Sequence, residues 1–133
     1  MNDKEQGCTV SQQNYLKAIY MLGRGGAEVR SVNIADYFGV SRPSVCRAMQ
    51  GLQQRGLVTL DEDKNLALTP QGKKEARAVV RKNKVLFNFL VNILGISPEA
   101  AQHDADRLEH AISGLTLQKL QEYILQMGYK VAV

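Results

Sequence analysis

Gly39, Val40 and Ser41 stand between two short stretches of helical periodicity, and few folds accommodate that arrangement. Before them, Ile34, Ala35 and Phe38 share one apolar face behind Ser31, a residue type suited to capping a helix N-terminus. Gly39 can adopt the left-handed conformation that closes a helix, with Val40 folding back as the apolar plug of the turn. Ser41 then caps a second helix. Pro43 falls in its first turn, where no N–H is missed, and Val45, Ala48, Met49 and Leu52 form its inward stripe. The spacing therefore predicts a helix-turn-helix over residues 32–58.

The second helix turns Arg42, Ser44, Arg47 and Gln50 outward, with Gly51 adding no side chain. A polar, basic helix of this kind suits a DNA major groove: arginine pairs with guanine edges, glutamine with adenine, and serine hydroxyls bond phosphate. Ser41, Arg42, Pro43, Ser44, Arg47 and Gln50 are the candidate DNA-binding residues. A helical hairpin with a merely solvated polar face is the plainer alternative.

The flanking segments extend this pattern. Residues 11–22 read as a helix with Tyr15, Leu16, Ile19, Met21 and Leu22 on an apolar stripe, stopped by Gly23, Gly25 and Gly26. It would cover the helix-turn-helix from behind as the third helix of a trihelical unit. After Gly56, residues 57–60 and 66–69 read as the two strands of a wing, joined by an acidic turn in which Lys64 is the lone cation. Residues 71–94 form a long helix, basic at first and apolar at its end. Ser97 caps a helix running to about Ser113, and Thr116 caps a last one to about Met127.

These elements predict a mainly α fold, with a winged helix-turn-helix DNA-binding domain over residues 1–70 and a helical dimerisation domain over residues 71–133. The length and the 44% hydrophobic content allow two small linked cores. The apolar surface of the last three helices exceeds what so short a domain buries alone, which points to a homodimer presenting two recognition helices to a palindromic site on double-stranded DNA. A monomeric core completed by those helices is the alternative.

Charge supports an anionic partner, with a formal net charge of +4. Lys73, Lys74, Arg77, Arg81, Lys82 and Lys84 crowd one stretch that suits a phosphate backbone, whereas acids dominate residues 99–122. The two cysteines, Cys8 and Cys46, have no zinc spacing, and Cys46 reads as a small buried hydrophobe. Residues 1–8 are polar and aperiodic, and are expected to be mobile. Without a membrane-length apolar run or a signal-peptide pattern, the expected location is the cytoplasm.

A separate chemical constellation occupies the penultimate helix. Asp106, Glu109 and His110 stand at i, i+3 and i+4, so on a regular helix they share a face. Two carboxylates and an imidazole are donors for Mn(II), Fe(II) or Zn(II); surface ion pairing with Arg107 is the competing use. An enzyme built on these residues would also need a nucleophile, and no nucleophile motif is visible, so the chain is not read as an enzyme.

Taken together, NYLKAIYML, IADYFGVSRPSVCRAMQGLQQRGLV, LTPQGKKEA, RKNKVLFNFL and HDADRLEHAIS resemble the DtxR/MntR-type metal-dependent transcriptional repressors, in the short manganese-type architecture. The resemblance spans nearly the whole chain, and it rests on the order and spacing of the motifs. It implies repression of metal-uptake genes when Mn(II) or Fe(II) is bound. It also implies ligands at Asp106, where the family has Glu or Cys, and at Glu109 and His110. The family's remaining ligand positions hold Asn14, Lys17, Asn83 and Phe87 here. Two consequences follow from the resemblance. Either one metal is held by Asp106, Glu109, His110 and the Asn14 amide oxygen, or Lys17 takes the cation's place and the regulator is metal-independent. A regulator sensing an organic ligand is a further rival.

Overall fold

The structure is a computed structural model and describes residues 7–131. Residues 1–6, most of the leader expected to be mobile, lie outside the described residues. The chain divides into two compact units, Met1–Arg77 and Ala78–Val133.

In the first unit, α1 (Val10–Leu22) opens on a capping box, in which the Thr9 hydroxyl accepts from the Gln12 N–H and the Gln12 side chain accepts from the Thr9 N–H. A short 3₁₀ turn and β1 (Val29–Arg30) follow, then α2 (Ser31–Phe38) and α3 (Arg42–Gln54). Gly39 closes α2 at φ 65°, the left-handed closure expected of it. The Val40 N–H returns to the Ala35 carbonyl at 3.0 Å, yet the Val40 side chain is exposed rather than plugged inward. Ser41 caps α3 by accepting from the Ser44 N–H, and Val45, Met49 and Leu52 are buried as their spacing predicts.

The wing consists of β2 (Val58–Leu60) and β3 (Asn65–Leu68). β3 also pairs with β1, giving a three-stranded antiparallel sheet of order β1-β3-β2. β1 was not expected, because two residues are too few to show alternation. Leu16, Ile34, Val45 and Leu52 lie completely buried at the centre of one apolar cluster that Ala76 joins at the other end of the sequence. Ala76 explains why this unit ends after Arg77, whereas the sequence suggested a boundary after residue 70: the opening turns of the next helix pack with the winged helix.

The Asp61 side chain organises the wing turn. Asp61 Oδ1 accepts the Asp63 and Asn65 N–H groups at 2.9 and 2.8 Å, which lets Lys64 sit at φ 63°. The Asn65 N–H, ahead of the remaining partners, holds the Asp61 carboxyl below its ordinary pKa. A carboxyl lowered in the folded state adds stability above its unfolded pKa of about 3.9, and that contribution is lost as pH falls through the folded value. The Asp63 and Asn65 amides should therefore lose protection, measured against their intrinsic exchange rates at each pH, as the pH is taken down through that range. Amide exchange by NMR checks this, and Asp61→Asn should weaken the pH dependence.

α4 (Pro70–Asn88) crosses from the first unit into the second and ends in a π-helical turn, Phe89–Ile93, before Gly95. In the second unit, Leu86 and Leu90 pack with Ala101 and Ala105 of α5 (Pro98–Leu108), and Val85 packs with Leu117 and Ile124 of α6 (Gly114–Gln126). α5 stops at Leu108, earlier than the expected Ser113, because the chain must turn before Ser113 caps α6 on the Thr116 N–H. No helix of the described residues is long and apolar enough to cross a membrane.

Candidate nucleic-acid interface and metal-domain residues

The DNA-facing candidates come together on α3. Ser41, Arg42, Pro43, Arg47 and Gln50 are exposed and Ser44 is half-buried, while Val45, Met49 and Leu52 are buried. The Ser41 and Ser44 hydroxyls are 2.9 Å apart, so the start of α3 presents a paired hydroxyl surface beside Arg42. Cys46 corrects the sequence reading. It is exposed, because it follows Arg42 and precedes Gln50 by one helical turn each and shares their outward face.

A cleft beside α3 adds residues that sequence reasoning passed over. Arg30, Arg42 and Lys64 line it with Ser31, Val32, Cys46 and Leu60, so among the described residues three cations face this space. Arg30 is fixed there by donating from Nη2 to the Asp63 carbonyl at 3.0 Å. Its position immediately before α2 was visible in the sequence, but its reach to the wing depends on β1 pairing with β3.

The basic stretch of α4 divides in use. Arg81 Nη2 donates to Gln121 Oε1 at 2.8 Å, and Lys82 Nζ donates to the Ile112 carbonyl at 3.2 Å. These two cations tie α4 to the end of the second unit; the expectation for the stretch had been a phosphate backbone.

In the second unit the three candidate metal donors are placed unequally. Glu109 is 1% exposed, and its Oε1 lies 3.3 Å from His110 Nε2. Both follow the last residue of α5, Leu108. Asp106 is exposed, and its Oδ1 accepts from Asn83 Nδ2 and from Gln102 Nε2, each at 2.8 Å. Among the described residues no group of three or more His, Cys, Asp and Glu side chains could hold a metal ion. The donor chemistry of Asp106, Glu109 and His110 fits a divalent cation, while their arrangement engages Asp106 with amides instead. Asn14 and Lys17 lie half-buried on α1, in the first unit.

Comparison with known proteins matches the chain to two family models. Residues 8–66 match the family described as iron dependent repressor, N-terminal DNA binding domain, and residues 69–129 match iron dependent repressor, metal binding and dimerisation domain. The transcriptional regulator MntR of Escherichia coli O157:H7 is 33% identical over 117 residues, 88% of this chain and 75% of the relative. The diphtheria toxin repressor of Corynebacterium glutamicum is 31% identical over 110 residues, 83% of this chain and 48% of that protein. A solved manganese-dependent transcriptional repressor in complex with manganese superposes with a TM-score of 0.77 at 31% identity, covering 85% of this chain and 52% of that one. The chain thus spans about half the length of that structure. With a winged helix-turn-helix in the first unit, a helical second unit and both family domains matched, the chain belongs to the iron-dependent repressor family of metal-dependent transcriptional regulators.

Proposed function

We propose that this chain acts in the cytoplasm as a dimeric repressor that binds a palindromic operator through α3 and responds to Mn(II) or Fe(II). The observation that carries the reading is the outward face of α3, where Arg42, Arg47 and Gln50 are exposed together beside the serine pair at the helix start. Arginine and glutamine read base edges in the major groove, and the cationic cleft at Arg30 and Lys64 suits the adjoining phosphates.

Dimerisation is supported by the apolar side chains that the second unit leaves uncovered. Leu94, Leu108, Leu115, Leu125 and Met127 are all exposed, Leu115 at 67%. A second copy covering them would present two α3 helices to one duplex, and twofold symmetry in the protein then requires twofold symmetry in the DNA.

Asp106, Glu109 and His110 are the residues that would hold the cation, whose charge would neutralise the two carboxylates. A ligand shifts such a regulator only by binding its DNA-competent form more tightly than the alternative. A metal-independent regulator is the second reading, favoured by the amide hydrogen bonds on Asp106.

The test is selection from a random duplex pool with Mn(II), with Fe(II) under anaerobic conditions, and with chelator. The expected result is a twofold-symmetric sequence with half-sites about one helical turn apart, enriched only with metal. Calorimetry should show metal binding that His110→Ala removes. Equal enrichment of the same sequence in chelator would establish the second reading, and no enrichment in any arm would sink the DNA-binding proposal.

A further inference from the structure

Two hollows flank the wing of the first unit. Leu60 and Lys64 of the wing and Arg42 and Cys46 of α3 line the cleft described above, together with Arg30 and Val32. Glu28, Glu62 and Asp63 line the second hollow, and Arg30 and Lys64 line it too. The two shared cations therefore form a ridge, with Arg42 on one side and three acids on the other. The ridge is held in place: Arg30 Nη2 donates to the Asp63 carbonyl at 3.0 Å, the Arg30 N–H donates to Asn33 Oδ1 at 2.8 Å, and the Lys64 N–H donates to the Asp61 carbonyl at 3.0 Å.

Duplex DNA meets these two sides differently. One strand of backbone offers phosphates to cations and sugars to apolar groups, and the cleft supplies both, since Leu60 is 43% exposed in the same cleft as Arg42 and Lys64. The minor groove, about 6 Å wide, has phosphates along both walls, so a wing tip entering it would bring Glu62 and Asp63 against like charge. We propose that the wing is a one-sided clamp: Arg30 and Lys64, with Arg42, seat one phosphodiester strand in the cleft beside α3, and the acidic side keeps the wing tip out of the minor groove. The clamp rests on α3 being the recognition helix, the reading given above, and adds to it a sequence-independent contact made by the wing.

Lys64→Asn and Arg30→Gln in the full chain, with Glu28→Gln/Glu62→Gln as the opposite change, test it. Asparagine tolerates the φ of 63° at position 64 and leaves the bond from Arg30 to Asp63 in place, so a lost contact is distinguished from a wing that unravels. Fluorescence anisotropy across a salt series, with Mn(II) present, is read on the selected duplex and on a mixed-sequence one. Each cation variant is expected to lower the slope of log affinity against log salt by about one per wing on the duplex, equally for both duplexes, with the sequence preference unchanged. The acid variant is expected to bind both duplexes several-fold more tightly, because it removes like charge beside the strand, and a polyamide filling the minor groove is expected to leave wild-type affinity unchanged. An unaltered slope in either cation variant overturns the clamp. Displacement by the polyamide, or an acid variant that binds no tighter, overturns the exclusion of the wing from the minor groove. If Arg42→Ala/Arg47→Ala weakens binding while the cation variants keep the wild-type slope, the recognition helix stands and the clamp alone fails. A wild type that binds neither duplex removes both.

Discussion

Gly72→Ala is expected to destabilise the winged-helix unit by about 3 kcal/mol or more, near the upper end of what an overpacked position costs. Gly72 sits in the first turn of α4, and a Cβ added there would run into the backbone carbonyl of Leu57, not into the movable tip of a side chain. That carbonyl cannot retreat, because it accepts the Thr69 N–H at 3.1 Å, and the Thr69 hydroxyl is itself bonded to the Gly56 carbonyl at 2.7 Å and the Gly72 N–H at 3.0 Å. One residue therefore fixes the strand exit of α3, the end of β3 and the start of α4 against each other. Moving Leu57 would also disturb the main apolar cluster, in which it is buried. Thermal unfolding followed by circular dichroism should show a fall of more than about 10 °C for the transition of this unit, given the 4–8 °C per kcal/mol typical of small domains. An unchanged transition would mean that the approach of α4 to Leu57 is not as tight as the structure has it.

Such a close approach was not legible in the sequence, where LTPQG announced only a strand end and a helix start. The helix-turn-helix was legible because its information is local. Gly39, Ser41 and Pro43 specify the turn and the cap, and Val45, Met49 and Leu52 fall inward by period alone. The outward face followed from the same period, so Arg42, Arg47 and Gln50 are exposed as their spacing predicts, with Cys46 corrected by one further application of it. The second unit was legible only in outline. A π-helical turn at Phe89–Ile93 leaves no sequence signature, and the end of α5 at Leu108 was set by the cap of the next helix. The surroundings of Asp106 illustrate the limit best. Gln102, at i−4, could have been named from spacing, but Asn83 reaches Asp106 across 23 residues, and only the packing of α4 on α5 brings it there.

Arg42→Ala/Arg47→Ala should reduce DNA affinity by at least about a hundredfold at moderate salt while leaving the melting temperature nearly unchanged. Both side chains are exposed on α3 and make no contribution to the buried stripe, so the fold does not depend on them. Each good arginine pairing with a base edge is worth about 1–3 kcal/mol, and in a twofold dimer every substitution is present twice on one operator. Even if one arginine contacts only phosphate, the doubled loss exceeds the tenfold change that 1.4 kcal/mol represents. The salt dependence discriminates between the two roles. A phosphate contact removed lowers the slope of log affinity against log salt by about one per contact and weakens all duplexes alike, whereas a base contact removed relaxes the sequence preference and leaves non-specific binding nearly intact. Fluorescence anisotropy on the selected duplex and on a scrambled one, across a salt series, measures both. Arg42, at the head of α3 and lining the cationic cleft with Arg30 and Lys64, is expected to change the slope, and Arg47, one turn further along the exposed face, the specificity. Affinity unchanged in the double variant would remove α3 as the recognition helix, and with it the assignment of the DNA surface.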